Sequence, residues 1–237
     1  MSTYVYAITG ADHPLRLDDL HGVGEPPSPL RTVTADGVAA VVSDAPDGLR
    51  AKRRDVMAHE GVLEALMADG ATLPMRFGLL GPDDVRVAEV LEREGDAYRA
   101  RLAELDGHVE YNLKAAREEQ DLLREIMARS EQVRQLNERA RSGPGGHDEL
   151  IALGELVARS VAERGSEQAE ETMQALLPVA ARVSRSEPGG SHFLNVSFLV
   201  PAESADAFVR AVQDEADRRG DAYTFTLTGP LPPYSFV

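Results

Sequence analysis

Hydrophobic and polar positions along this chain change period several times, and each change marks an element. At the start, TYVYAIT alternates: Tyr4, Tyr6 and Ile8 share one face and Thr3, Val5 and Ala7 the other, which predicts a strand. A turn-rich stretch comes next, around GVGEPPSP at 22–29. LRTVTADGVAAVVSD then predicts a hairpin, with strands at 30–34 and 38–43 joined through Asp36-Gly37. From about Arg50 to Met67 the period lengthens. Val56, His59, Leu63 and Leu66 recur at spacings of 3, 4 and 3, one face of a helix. ATLPMRFGLLGP at 71–82 breaks that pattern and predicts an extended or irregular segment. Asp83 and Asp84 come after Pro82 and suit a helix N-terminus. Val87, Leu91, Tyr98, Leu102 and Leu105 carry the helical pattern to about 105, with Gly95 expected to interrupt it.

The second half opens with DGHVEYNLKA at 106–115, a strand with Val109, Tyr111 and Leu113 on one face. A long charged helix is expected from there to about Arg141. Leu122, Ile126, Val133, Leu136 and Ala140 fit a seven-residue repeat, with Arg129 in one slot, a narrow stripe suited to a single neighbouring helix. SGPGGHDE at 142–149 reads as a loop, leading to helices at about 148–163 and 166–177. Glu163-Arg164-Gly165 is expected to end the first and Pro178 the second. The run at 179–201 reads as strand, Pro-Gly-Gly turn and strand, with Leu194, Val196, Phe198 and Val200 facing one way. A helix at 203–219 carries Ala205, Phe208, Val209, Val212 and Ala216 on its apolar stripe. A last strand at 222–228 places Tyr223, Phe225 and Leu227 on one face.

These elements predict an α+β protein of two domains, 1–105 and 106–237. With the extra helices set aside, the second half has the βαββαβ order of a ferredoxin-like fold, modified by inserted helices. The boundary carries no long linker, so the halves are expected to pack closely.

Composition narrows the function. The chain has 237 residues, 25 basic and 40 acidic, for a net charge of −15. A surface that acidic repels phosphate backbones, so a nucleic-acid partner is not expected. The one basic cluster, RAKRR at 50–54, reads as the solvated first turn of a helix. The absence of cysteine excludes disulfides, thiolate metal sites and thiol catalysis. No secretory signal and no membrane-spanning run is visible, which leads us to expect a cytoplasmic protein without membrane association.

Candidate chemistry is sparse. The six histidines, at 13, 21, 59, 108, 147 and 192, lie at no zinc spacing. His59 sits on an apolar stripe, where a buried, hydrogen-bonded histidine is the expectation. Asp148 reads as a helix cap. The glycines at 143–146 and 187–190 are turn signals and lie in no strand-to-helix phosphate loop. Neither a cofactor nor an enzymatic activity is expected. In LPMRFGLL at 73–80, Arg76 lies between Met75 and Phe77 in an apolar run. Either it pairs with a core carboxylate, or Arg76 and Phe77 form an anchor on a partner surface, where arginine and aromatic residues are enriched.

YVYAITG, GVAAVVSD, HEGVLEAL, TLPMRFGLL, FLNVSFLVP and the terminal TGPLPPYSF occur in an order that resembles the gas vesicle protein L/F family (GvpL/GvpF) nearly end to end. The combination of LPxRFG with GPxPPYSF is the specific part. The family commonly carries Trp in the tail where this chain has Leu231. The resemblance implies a non-enzymatic accessory or minor structural protein of gas vesicle assembly, located in the cytoplasm and on the vesicle. It implies binding to the hydrophobic shell protein and to other accessory proteins, and a second domain of modified ferredoxin-like fold. It carries no catalytic residues over. A ferredoxin-like regulatory protein that binds a small molecule is the alternative.

The chain finishes TGPLPPYSFV, with two aromatics in its last four positions. Gly229-Pro230 is expected to turn the chain, and Pro232-Pro233 to stiffen the last residues. Tyr234 and Phe236 are then expected to fold back on the chain's own body at the interdomain interface, the rival being a mobile peptide that engages a partner.

Overall fold

A computed structural model describes residues 2–142 and 146–237. The chain is a mixture of helices and two antiparallel sheets, one of five strands and one of four. It divides into two compact units. The first comprises Met1–Glu110, Pro201–Glu203 and Pro230–Val237, and the second Tyr111–Val200 and Ser204–Gly229. The division thus falls inside a strand rather than at 105, and it groups the tail with the first unit.

In the first unit, β1 (Thr3–Gly10), β2 (Arg31–Ala35), β3 (Val38–Asp44) and β4 (Thr72–Pro74) lie in the order β2-β3-β1-β4, and β5 (Leu80–Gly81) also pairs with β1. The β2–β3 hairpin turns through Asp36 and Gly37, both at positive φ (46° and 74°), as a two-residue hairpin turn requires. The β1–β3 register slips between Val5 and Ala7. This bulge breaks the alternation read from the sequence. Tyr4, Tyr6 and then Ala7, rather than Ile8, enter the cluster that Val62, Leu63 and Leu66 of α1 (Arg53–Asp69) cover.

The helix α2 (Asp84–Leu105) is continuous, and Asp83 caps it by accepting from the Arg86 N–H at 2.8 Å. Gly95 does not interrupt it. It is buried there because a Cβ would lie 2.2 Å from a carboxylate oxygen of Asp36. The glycine that looked like a breaker is the seat for the hairpin tip, which Arg99 also holds through Asp36.

In the second unit the strands β6 (His108–Arg117), β7 (Arg182–Arg185), β8 (His192–Pro201) and β9 (Tyr223–Leu231) form one sheet in the order β7-β8-β6-β9. The helix α6 (Ala205–Arg219) buries Phe208 and Val212. The Phe208 ring lies 5.3 Å from that of Tyr111 and 5.1 Å from that of Phe198. Val209, placed on the same stripe by the sequence, is exposed.

The helical insertions depart most from the sequence reading. The long charged helix is two, α3 (Glu119–Arg129) and α4 (Glu131–Ser142). Ser130 between them is extended (φ −101°, ψ 105°), and its hydroxyl accepts from the Val133 N–H at 3.2 Å. A side chain able to cap the next turn competes with the helix it interrupts. Conversely, the expected pair of helices after the loop is one, α5 (Gly146–Leu176), which runs through Gly165. Glycine in a helix costs only about 1 kcal/mol against alanine, and packing overrides that. Asp148 accordingly lies in the first turn of α5, and positions 143–145 of the expected loop lie outside the described residues. No helix among the described residues is long and apolar enough to cross a membrane.

Candidate functional site

After β4 the chain makes a turn closed by the Leu79 N–H donating to the Arg76 carbonyl at 3.1 Å. Gly78 at its third position has φ 89°, the left-handed value that a type II turn demands there. The turn sorts the LPMRFGLL side chains. Phe77 points inward, its ring 5.9 Å from Tyr4 and 5.7 Å from His59. Arg76, Leu79 and Leu80 are exposed. Of the two readings of Arg76, pairing with a core carboxylate is incorrect: it forms no ion pair among the described residues, because the turn directs it away from the core.

His59 is the hub beneath this turn. It is buried as expected, with both ring nitrogens engaged. Its Nε2–H donates to the Met75 carbonyl at 3.0 Å, which fixes the tautomer. Its Nδ1 accepts from the Tyr4 hydroxyl at 2.9 Å, and the Tyr4 oxygen in turn accepts from the Gly78 N–H at 3.1 Å. A parallel relay runs through Tyr6, which accepts from the Val23 N–H at 2.7 Å and meets the Ser43 hydroxyl at 3.0 Å. Gly22 is required beside it, since a Cβ would lie 2.6 Å from the Tyr6 hydroxyl. Burial pushes the Tyr4 and Tyr6 hydroxyls up and the His59 imidazole down. The network therefore stays neutral.

The tail reaches the same hub. β9 does not end at Thr228 but continues through Gly229 and Pro230 to Leu231. Proline is tolerated there because β9 is an edge strand. Pro232-Pro233 then leads into a short 3-10 turn, Tyr234–Phe236. Tyr234 packs on the Tyr4–Tyr6 cluster, its hydroxyl 3.5 Å from His59 Nε2 and pushed up to about 12 by burial. Ser235 donates through its backbone N–H and its hydroxyl to the two carboxylate oxygens of Glu110, at 2.8 and 2.7 Å. Phe236 is buried, leaving 4% of its surface exposed. The tail is thus docked within the first unit.

The structure brings Phe77 and Tyr234 together at His59, buries Phe236, and leaves Arg76 outside. Glu110 is the residue that the sequence reading missed. Alternation in β6 put it opposite Val109 and Tyr111, on a solvent face, yet it is buried. Its partner lies 125 positions away, and no local pattern signals it. Chemically the arrangement is a latch, with neutral hydroxyls and a neutral ring bonded to one another. No cluster of three or more side chains able to hold a metal occurs among the described residues.

Comparison with known proteins bears on the whole chain. The family model described as gas vesicle synthesis protein GvpL/GvpF matches residues 2–237. The chain belongs to this family. It is 43% identical to gas vesicle protein F of Streptomyces sp. (strain CB03234) over 238 residues, covering all of both chains. It is 31% identical to gas vesicle protein L of the same strain, covering 99% of this chain and 92% of that one. The crystal structure of GvpF from Anabaena sp. PCC7120 superposes with a TM-score of 0.85 at 23% identity, over 99% of this chain and 97% of that one. That of GvpF from Microcystis aeruginosa gives 0.82 at 24%, over 99% and 98%. The GvpL/GvpF fold therefore extends over nearly the whole of this family member.

Proposed function

We propose that this GvpL/GvpF protein is a non-enzymatic accessory or minor structural protein of gas vesicle assembly. On this reading it works in the cytoplasm and at the vesicle, binding the hydrophobic shell protein and other accessory proteins. The end-to-end family match carries the proposal. The higher identity to the F protein than to the L protein of one strain, 43% against 31%, supports an F-type role. These two relatives and the two solved structures are all gas vesicle proteins, which leaves the small-molecule regulatory alternative without support.

The two compact units are proposed as two domains. The order β7-β8-β6-β9 is the arrangement that a βαββαβ unit takes when its first and third strands are central, which supports a modified ferredoxin-like second domain with α3, α4 and α5 inserted. The proposed contact surface for the shell protein is the outer side of the 76–80 turn. Arg76 is solvent-facing there beside Leu79 and Leu80, 44% and 50% exposed, while Phe77 is fixed inward as its anchor. A shell subunit that excludes water exposes apolar surface before assembly, and an acidic partner keeps such a complex in solution.

The test is co-purification of the shell protein with the intact chain and with a double variant, Arg76→Ala and Leu80→Ser. Binding is expected to persist at high salt, since screening weakens charge contacts more than apolar ones, and to fall in the double variant. Absence of binding under all conditions overturns the function. Undiminished binding by the variant overturns the surface.

A further inference from the structure

We propose that two copies of this chain associate by pairing β9 with β9, antiparallel and about a twofold axis at Thr226. β9 is an edge of its sheet, with β6 on one side and no strand on the other. Beyond that ladder, residues 224–229 form no backbone hydrogen bond among the described residues. An open edge offers unpaired N–H and C=O groups, and proteins ordinarily block it with charge, proline, brevity or a covering element. The other sheet edges are blocked in these ways. β4 and β5 have three and two residues, and β4 ends in Pro74. β7 has four residues, of which Arg182 and Arg185 are its ends. α2 packs against β2, whose Arg31 is held by Asp44 and Asp84. β9 has no such protection over residues 223–229, a run without a charge in a chain that is 27% charged. Its proline, Pro230, comes only after that run.

The sequence of this edge matches itself. About Thr226 it reads Thr-Phe-Thr-Leu-Thr, the same pattern in either direction. A twofold there sets Thr226 opposite Thr226 of the second copy, Thr224 opposite Thr228, and Phe225 opposite Leu227. Thr–Thr pairs stabilise a ladder, and each Phe–Leu pair covers apolar surface. The faces stay sorted, since Thr224, Thr226 and Thr228 are exposed and Phe225 and Leu227 half-buried. A shift by one residue would lay the threonine face of one copy beside the apolar face of the other. Charge favours the same strip. Two copies with a net charge of −15 repel one another, least where neither carries a charge. In this register Asp221 falls opposite Leu231, not opposite a second carboxylate. Pro230, with no N–H to give, falls opposite Ala222 and ends the ladder. Pairing this short makes a weak, reversible dimer, so its test is one that traps it.

The full chain has no cysteine, so single cysteine variants along β9 report the register without background. Thr226→Cys faces its own copy across the axis, with Cα atoms about 4.5–5.5 Å apart, and should give a disulfide-linked dimer under mild oxidation. Thr224→Cys alone should crosslink about tenfold more slowly or less, its two copies lying more than about 13 Å apart. A mixture of Thr224→Cys and Thr228→Cys should recover the rate of Thr226→Cys. Sedimentation of the unaltered chain at high concentration should show a monomer–dimer equilibrium. Thr226→Lys should abolish it by setting like charges on the axis, and an equal mixture of Thr226→Lys and Thr226→Glu should restore it. Thr226 is exposed, so an unchanged melting temperature in dilute solution is the control for folding. Equal crosslinking of Thr224→Cys and Thr226→Cys, as random collision gives, overturns the proposal. So does a dimer that Thr226→Lys leaves intact, which would use another surface. A chain that stays monomeric and crosslinks at neither position overturns it too, and leaves the edge to a strand of a different protein. No gas vesicle component enters these assays, so their failure is distinguishable from failure of the shell-binding surface on the 76–80 turn.

Discussion

Tyr4 and His59 in the first unit and Gln168 and Arg219 in the second are all buried polar side chains, but their hydrogen bonding differs. Around His59, ring nitrogens, two tyrosine hydroxyls and backbone groups satisfy one another. In the second unit, Arg117 and Arg219 lie 5.1 and 5.6 Å from the centre of the Tyr223 ring amid carboxylates. There Gln168, Thr172 and Arg219 each keep a buried atom without a partner. All the orphaned buried side-chain atoms found among the described residues belong to the second unit. An unpaired buried group costs about 1–3 kcal/mol. The difference teaches that the first unit is closed by its own tail and bonds its buried polar groups to one another, whereas the second keeps several of them unpaired among its ion pairs.

The largest effect that tests this contrast comes from removing the tail. Deleting residues 232–237 leaves β9 whole, exposes the site of Phe236, worth about 2 kcal/mol, and strips Glu110 of both bonds from Ser235, worth about 2 kcal/mol more. A loss of about 4 kcal/mol in denaturant unfolding is expected. Unchanged stability together with lost partner binding would instead make the tail a docking peptide, and the first unit would no longer count as closed.

Next is Tyr4→Phe, which keeps the ring and removes only the hydroxyl. His59 Nδ1 loses its donor inside the core, so a cost of about 2 kcal/mol is expected. A cost near zero in urea titration would show that the relay is not what holds the hub together.

How far the sequence foretold this contrast depended on how local each cause was. The hairpin at Asp36-Gly37, the buried His59 and the four strands of the second sheet arise from turn chemistry and periodicity, which act within a few residues. The docked tail was legible because exposed aromatics beside a stiff Pro-Pro pair need a surface. Other features have distant causes. Gly95 stays helical because Asp36 sits against it, and Glu110 is buried because Ser235 reaches it. Ser130 and Gly165 show propensity misleading in both directions, a capping hydroxyl breaking one helix while packing carries another past a glycine.

A smaller effect is set by pH. Burial holds the His59 imidazole below its ordinary value, so the folded state binds its proton less readily than the unfolded chain, whose histidine titrates near 6.5. This stabilisation is therefore complete above about 6.5 and is lost as pH falls below it toward the folded value. The melting temperature should decline on acidification from about 7 to about 5, and His59→Gln, though less stable throughout, should decline less. An equal slope in both proteins would mean that His59 is not the titrating group.

The smallest effect is expected where the two units should differ most. Gln168→Leu is close to isosteric and removes one hydrogen bond, that to the Tyr223 hydroxyl, which costs about 1 kcal/mol. It also removes the unpaired buried oxygen, a gain of about 1–3 kcal/mol. The half-buried Tyr223 can turn its hydroxyl to water. The sum lies between neutral and about 2 kcal/mol more stable, opposite in sign to Tyr4→Phe, although each change deletes a buried polar group. Paired thermal melts of the two variants measure the contrast directly. If Gln168→Leu destabilises as much as Tyr4→Phe, the second unit satisfies its polar groups as fully as the first. If it proves neutral or better, the unpaired amide is a cost that the second unit carries and the first does not, as the contrast between them requires.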